Sequence, residues 1–113
     1  MARKVTTNRH FINFSIAGFS YWEGCLVLGE LKPGAKLELV YEEENKYDPC
    51  AVAIYYGDYK LGFVPRSQNQ LLSKFLELGY DDLFDARVQR VSPEEHPEQQ
   101  VGVIIFINNN HNF

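Results

Sequence analysis

The stretch EEENKYDPCAVAIYYGDYKLGFVPR, from Glu42 to Arg66, predicts more of the fold than any other part of the chain. Its AVAIYY segment is rich in β-branched and aromatic residues, Gly57 and Asp58 form a turn signal, and YKLGFV follows. Two β-prone segments joined by a glycine-containing two-residue turn are typical of a β-hairpin. We expect the second strand to end at Pro65, because proline has no amide hydrogen to donate to a neighbouring strand.

A polar cluster with the pattern N-x-Y-D comes directly before this hairpin. Asn45, Tyr47 and Asp48 offer an amide, an aromatic ring and a carboxylate at the edge of the predicted sheet. Such a set is better suited to contacting a ligand than to filling a core. The same residues also suit a plain turn, because Asp-Pro favours turn initiation and Asn45 can cap it. The residues alone leave both interpretations open.

The segments on the N-terminal side predict two more strands and a loop. In FINFSI, residues 11–16, apolar and polar residues alternate as in a half-buried strand, and KLELVY, residues 36–41, follows a Lys-Pro-Gly turn in the same way. Between them, GFSYWEG places three aromatic residues between glycines at positions 18–24. We expect a loop with exposed rings there.

The segments on the C-terminal side predict one helix and a final pair of strands. The helix covers SQNQLLSKFLELG, with Ser67 and Gln70 as a capping box and Gly79 at its end. The strands, Leu83–Val91 and Val101–Ile107, enclose the solvated loop SPEEHPEQQ. The apolar side of the helix is expected to consist of Leu71, Leu72, Phe75, Leu76 and Leu78.

About six short strands and one main helix predict a β-rich α+β fold, a small OB-like, partly open β-barrel. A chain of 113 residues has room for one hydrophobic core, so we expect a single domain over residues 1–113. Its core spans about residues 11–107, between a flexible N-terminal arm and a flexible C-terminal tail.

Composition limits the classes of function. The net charge of −4 argues against a non-specific nucleic-acid coat, although Arg3, Lys4 and Arg9 leave a local basic region. No apolar run reaches the roughly 20 residues that cross a bilayer, and the N-terminus lacks a signal-peptide core, so we expect a cytoplasmic protein with no membrane partner. The two cysteines, Cys25 and Cys50, are expected to be buried or partly buried free thiols, and the run of glutamates at 42–44 a solvated surface.

The sequence gives little support to catalysis. The three histidines are far apart, and no phosphate loop, G-x-S-x-G motif or metal-ligand spacing is present. Glu23 and Asp48 could in principle hold a divalent ion for a nuclease, because carboxylates suit hard cations. We nevertheless expect a non-enzymatic protein without cofactor or metal.

Three motifs, in this order, resemble the HIRAN domain, a module of helicase-associated proteins that also occurs as a stand-alone bacterial protein. They are G-x-x-Y-W-x-G at 18–24, E-x-x-N-x-Y-D-P-x-A-V-A-I at 42–54 and K-L-G-F-V-P-R at 60–66. The resemblance extends over about residues 14–107. It implies an OB-like barrel that captures the 3' end of single-stranded DNA, with a possible protein partner in DNA repair or replication.

The resemblance also implies roles for individual residues. Tyr21 and Tyr47 would stack on terminal bases, Asp48 would accept a hydrogen bond from the free 3'-hydroxyl, and Lys60 and Arg66 would reach phosphates. Ser20 stands where helicase-associated members have a phosphate-contacting arginine. The predicted DNA-binding residues are Tyr21, Trp22, Asn45, Tyr47, Asp48, Lys60, Phe63 and Arg66.

The general chemistry agrees with this assignment. Stacking on an aromatic ring is worth about 1–3 kcal/mol per base and tolerates any sequence, so it holds DNA without reading it. An ionised carboxylate accepts from a hydroxyl and repels a phosphate, so Asp48 would favour a free 3'-hydroxyl. The alternative that the residues leave open is a protein-interaction domain that binds a peptide in the same aromatic groove or at a sheet edge.

Overall fold

The structure is a computed structural model that describes residues 8–108. It contains six strands: β1 (Arg9–Ser15), β2 (Lys36–Tyr41), β3 (Val52–Tyr56), β4 (Tyr59–Phe63), β5 (Phe84–Val91) and β6 (Val101–Ile107). The two α-helices are α1 (Gly24–Val27) and α2 (Gln70–Glu77), and short 3-10 turns join the elements. The predicted N-terminal arm before residue 8 and the tail after residue 108 lie outside the described residues.

The strands form one antiparallel sheet in the order β1-β6-β5-β2-β3-β4. The sheet is not closed, but a single bridge between Ala17 and Phe63 links the chain just after β1 to the end of β4. Both backbone hydrogen bonds of this bridge are 2.9 Å long. The predicted small, OB-like, partly open β-barrel is confirmed.

Gly62 makes this bridge possible. Its φ of +146° lies in a region that side chains other than glycine's rarely adopt. A Cβ atom at this position would also lie 2.4 Å from the carbonyl oxygen of Ala17. The glycine of the K-L-G-F motif is therefore required by the fold, because it lets the two ends of the sheet approach each other.

One hydrophobic core contains side chains from every strand. Apolar side chains from all six strands pack with Phe19, Val27 and the buried face of α2. The most deeply buried large side chains are Ile16, Ile54, Leu61, Leu72 and Ile105. The predicted hairpin is confirmed, with its turn at Gly57 and Asp58.

The helix differs from its prediction at its start, whereas Gly79 follows its last turn as expected, with a φ of +90° and its N–H bonded to the carbonyl oxygen of Leu76. It begins at Gln70 after a 3-10 turn at Arg66–Gln68, with Asn69 as its N-cap, so the predicted capping box at Ser67 is wrong. Leu72 and Leu76 are buried, whereas Leu71 and Leu78 are exposed. The helix is eight residues long, and its buried side contains fewer leucines than the sequence predicts.

Cys25 is a second correction. Both cysteines are free, and Cys50 is partly buried as predicted, but Cys25 is exposed on α1. This helix is one turn long and contacts the rest of the protein through Gly24 and Val27. Its other face carries Cys25 and Leu26, which point away from the core.

The sheet opens between β2 and β5. These strands pair only at Lys36 with Arg87 and at Leu37 with Ala86, and beyond Leu37 they separate. The last turn of α2 lies beside the free part of β2, where Leu76 and Glu77 border the same cavity as Leu39 to Tyr41. Within residues 8–108, no helix is long and apolar enough to cross a membrane.

Candidate nucleic-acid interface

A cavity of about 380 Å³, here called the turn cavity, lies where three segments meet. They are the end of β4, the glycine loop (residues 18–24) and the N-x-Y-D turn (residues 45–48). Its apolar lining residues include Ala17, Ala51 and Val64, and the last two are buried. Its other lining residues are Gly18, Trp22, Glu42, Asn45, Tyr47, Asp48, Lys60, Phe63 and Arg66.

Asn45 shapes the N-x-Y-D turn. Its side-chain oxygen accepts hydrogen bonds from the backbone N–H groups of Tyr47 and Asp48, both at 2.9 Å. Its side-chain nitrogen donates to Glu42 at 3.0 Å. Asparagine is favoured in such turns because its side chain satisfies backbone donors two and three residues later. Asn45 thereby fixes the positions of the next two residues of the cluster.

Asp48 is anchored on both of its carboxylate oxygens. Oδ1 accepts from the backbone N–H of Cys50 at 2.9 Å, and Oδ2 accepts from the side chain of Asn69 at 2.8 Å. Asn69 is only 2% exposed, so its amide is a rigid donor. An ionised carboxylate can accept about four hydrogen bonds. Asp48 is thus held in one orientation and keeps acceptor capacity toward the cavity.

Tyr47 and Arg66 form the exposed rim beside Asp48. The Tyr47 side chain is exposed, at 85% for the residue as a whole. The Arg66 guanidinium donates to the backbone oxygen of Tyr47 at 2.9 Å, and its Nε lies 3.7 Å from Oδ2 of Asp48. This part of the rim therefore combines an aromatic face available for stacking with a cation that is mostly exposed.

The glycine loop forms the opposite wall, and part of its prediction is wrong. Phe19 is 2% exposed and belongs to the core, whereas we expected all three rings of the loop to be exposed. The chain enters a 3-10 turn at Phe19–Tyr21, which turns the ring of Phe19 inward. Gly24 fits against this ring, because a Cβ there would lie 2.3 Å from Phe19 Cε1.

Lys60 is enclosed and does not extend to the solvent. Its ammonium lies 2.5 Å from Oε2 of Glu42, 3.8 Å from the centre of the Trp22 ring and 4.5 Å from that of Phe63. A cation over an aromatic face is stabilised by the negative potential of the ring. The structure therefore places this charge inside the cavity wall, already paired, and Glu42 is not the solvated residue that we predicted.

The comparison with known families decides the assignment. The sequence model of the HIRAN domain matches residues 10–108. The chain belongs to the HIRAN domain family. HIRAN domains are known in general as nucleic-acid-binding modules and form a family of binding domains. A search of curated proteins found no match.

A solved structure has a similar fold. The crystal structure of a protein from Lactobacillus plantarum superposes on this HIRAN domain with a TM-score of 0.76. The superposition covers 91% of this chain and 97% of the other, and 20% of the residues are identical. At this level of identity the likeness concerns the arrangement of the strands.

Tyr21 lies beside the turn cavity of this HIRAN domain but does not line it. Tyr21 is 83% exposed. Its ring lies close to Gly18, since Cδ2 would be 3.9 Å from a Cβ atom added to that glycine. Trp22 and Phe63, by contrast, line the cavity and pack edge to face. The structure thus brings together seven of the eight predicted residues and leaves Tyr21 just outside.

Glu23 and Asp48, the two carboxylates considered for a metal site, accept hydrogen bonds from different groups of the protein. Oε1 of Glu23 accepts the backbone N–H of Lys60 at 3.0 Å, while Asp48 binds Cys50 and Asn69. No group of three or more His, Cys, Asp or Glu side chains within residues 8–108 is arranged to hold a metal ion.

Sequence reasoning missed two residues that support the HIRAN site. Asn69 holds Asp48 from 21 positions away, and in the sequence it lies within the segment predicted to be helical. Glu98 lies in the loop that we expected to be solvated, yet both of its carboxylate oxygens are 3.0 Å from the backbone nitrogen of Gly18. Neither long-range contact has a local sequence signal.

Proposed function

We propose that this HIRAN domain binds single-stranded DNA at a free 3'-hydroxyl end and that the terminal nucleoside occupies the turn cavity. The observation that carries the proposal is the anchored carboxylate of Asp48 between the exposed ring of Tyr47 and the exposed guanidinium of Arg66. These groups provide a hydroxyl acceptor, a stacking surface and a phosphate-binding cation at one part of the cavity lining.

The size and lining of the cavity suit one nucleoside. A volume of about 380 Å³ is near the lower end of the range for small-molecule sites, which is about 300–1,000 Å³. Its apolar lining residues can cover a sugar or base face, and its polar side chains can contact hydroxyl and phosphate groups. The next nucleotide would leave past Arg66, which can bind the first internal phosphate.

The enclosed state of Lys60 limits how many phosphates the site can contact. Because Glu42 neutralises this ammonium, Arg66 is the exposed cation of the cavity lining. Release of one counterion from a single strand corresponds to a slope of about −0.7 in a plot of log K against log salt. The proposal therefore includes weak salt dependence and a short footprint.

The test compares three oligonucleotides of one sequence by fluorescence anisotropy: a free 3'-hydroxyl, a 3'-phosphate and a blunt duplex. We expect the 3'-hydroxyl strand to bind at least about tenfold more tightly than the 3'-phosphate strand, because Asp48 repels the phosphate. Equal affinity for all three, or no binding to any, would exclude end capture.

One variant and its control test whether Tyr47 stacks on the DNA. Tyr47→Ala is expected to weaken binding of the 3'-hydroxyl strand by about 1–3 kcal/mol through lost stacking. Tyr59→Ala is its matched control, because Tyr59 is also a partly exposed tyrosine and does not line the cavity. Full affinity in Tyr47→Ala would remove stacking from the account. A role in DNA repair or replication and a cytoplasmic location stay predictions.

A further inference from the structure

The opening between β2 and β5 leaves backbone groups of β2 without a partner strand. The backbone N–H of Glu42 donates to the backbone oxygen of Ala51, which continues the β2–β3 register by one pair. Every second residue before Glu42, namely Val40 and Glu38, is therefore also hydrogen-bonded to β3. Because hydrogen-bonded and non-bonded pairs alternate in an antiparallel ladder, the N–H and C=O groups of Leu39 and Tyr41 point away from β3. Among the described residues, no strand pairs with them on that side.

Strand β5 also has backbone groups that face the opening without a partner strand. The register with β6 places the N–H and C=O groups of Ala86 toward β2, and by alternation those of Phe84 point the same way. Leu37 and Ala86 are the last pair before the strands separate. Two strand edges therefore face each other across a gap, and unpaired edges are templates for an added strand.

Two adjoining cavities, here together called the acidic groove, occupy this gap. The larger has a volume of about 830 Å³ and the smaller about 360 Å³. They share Leu39, Val40 and Asp81, so the groove runs along the free edge of β2 to the end of α2. It shares no lining residue with the turn cavity.

Acidic side chains outnumber basic ones in the lining of the acidic groove. At one end Asp85 is paired with Lys36 at 3.5 Å and with Arg87 at 2.9 Å. The other carboxylates of the lining form no ion pair within residues 8–108. They are Glu38, Glu43, Glu77, Asp81 and Asp82.

We propose that the acidic groove binds an extended, lysine- or arginine-rich peptide of a partner protein, which pairs with β2 as an additional strand. The backbone groups of Leu39 and Tyr41 supply main-chain hydrogen bonds, which give affinity without regard to sequence. The unpaired carboxylates select cationic side chains and repel anionic ones. A nucleic acid does not suit this groove, because the same carboxylates repel its phosphates.

The probe for this proposal is a fluorescein-labelled octapeptide of alternating lysine and threonine, measured by fluorescence anisotropy on the full chain. Two matched peptides separate the two sources of affinity. One has glutamate in place of lysine, and the other carries an N-methyl group on every amide, which removes the donors of both hydrogen-bonding edges. We expect only the unmodified lysine peptide to bind. Equal binding of the glutamate peptide would overturn the charge argument, and equal binding of the methylated peptide would overturn strand pairing.

Variants of the protein locate the peptide. The double variant Asp81→Asn, Asp82→Asn is expected to weaken binding about fivefold, from two exposed charge pairs. Glu94→Gln, Glu95→Gln is the control, because it changes the net charge equally on exposed residues outside the groove. Glu77→Gln provides a second position if the first variant unfolds. Equal losses in groove and control variants would overturn the location.

Hydrogen exchange adds a direct readout of the backbone. On saturation with the lysine peptide, the amides of Leu39 and Tyr41 are expected to exchange more slowly, whereas unchanged exchange would overturn pairing with β2. Tyr47→Ala should retain peptide binding, because Tyr47 belongs to the other cavity. The peptide site can therefore fail or succeed independently of the DNA-end site.

Discussion

The two walls of the turn cavity are built by different physical means. The N-x-Y-D turn is held by polar contacts, in which Asn45, Asp48 and Asn69 satisfy one another and the nearby backbone. The glycine loop is held by close apolar packing, in which Gly24 lies against the ring of Phe19. One wall therefore depends on hydrogen bonds made by its own side chains, whereas the other, although Glu98 and Glu23 also bind it through hydrogen bonds, depends on the absence of a side chain at Gly24.

The largest effect is expected from adding a single methyl group to the apolar wall. Gly24→Ala would place a Cβ 2.3 Å from a ring that is itself buried, so the loop or the ring must move. Overpacking of this kind costs about 1–3 kcal/mol of unfolding free energy, which urea denaturation measures. Gly29→Ala is the control, because a Cβ at Gly29 meets nothing within 4 Å. A Gly24→Ala variant as stable as Gly29→Ala would contradict the packing argument.

The polar wall is tested by a double-mutant cycle between Asp48 and Asn69. Asp48→Ala leaves the buried amide of Asn69 without its acceptor, which is expected to cost about 1–3 kcal/mol. Asn69→Ala in the Asp48→Ala background should then cost less than in the native protein. We expect a coupling of about 1 kcal/mol from thermal or urea unfolding, and additive losses would show that the two side chains do not act together.

A smaller effect is expected where the late loop supports the glycine loop. Glu98→Gln retains one oxygen acceptor for the N–H of Gly18 but loses the charge and the second oxygen. Because this contact is exposed, we expect a loss of about 0.5 kcal/mol in stability. Glu94→Gln is the matched control in the same loop. A larger loss of single-strand affinity than of stability would show that Glu98 positions the apolar wall for binding.

The smallest effect is expected on the free energy of unfolding at alkaline pH. Burial of the phenol, reinforced by the negative charge of Glu77, raises the pKa of Tyr41, whose O–H donates to the backbone oxygen of Pro49 at 3.0 Å. Since the folded-state pKa lies above the unfolded one, this contribution is complete below about pH 10 and is lost as pH rises through the folded pKa. Tyr41→Phe should therefore lose less stability than the native protein when unfolding is followed from pH 9 upward. Parallel pH profiles would contradict the shift.

The sequence predicted the sheet well because strands carry a local signal. The alternation in FINFSI and the Gly57-Asp58 turn are both encoded within a few residues, and the structure confirms β1 and the β3–β4 hairpin. The start of α2 was predicted less well, because Ser67 has the right side chain for a cap but lies in a 3-10 turn that Pro65 precedes.

The candidate site was predictable in its composition and less so in its connections. The N-x-Y-D pattern identifies the turn because its hydrogen bonds join near neighbours in the sequence. The pairing of Lys60 with Glu42 and the anchoring of Asp48 by Asn69 depend on how β4 and α2 approach the turn. No residue pattern contains that information, so the sequence predicts Lys60 as a phosphate ligand without its partner Glu42, and Phe19 as an exposed ring.

The position of Trp22 has a practical consequence. It is the single tryptophan of the chain, it borders the turn cavity, and the ammonium of Lys60 lies 3.8 Å from the centre of its ring. Its ultraviolet emission therefore originates from one known place. Any molecule that enters the cavity will change the polarity around this indole, so the unlabelled protein carries its own optical reporter of occupancy.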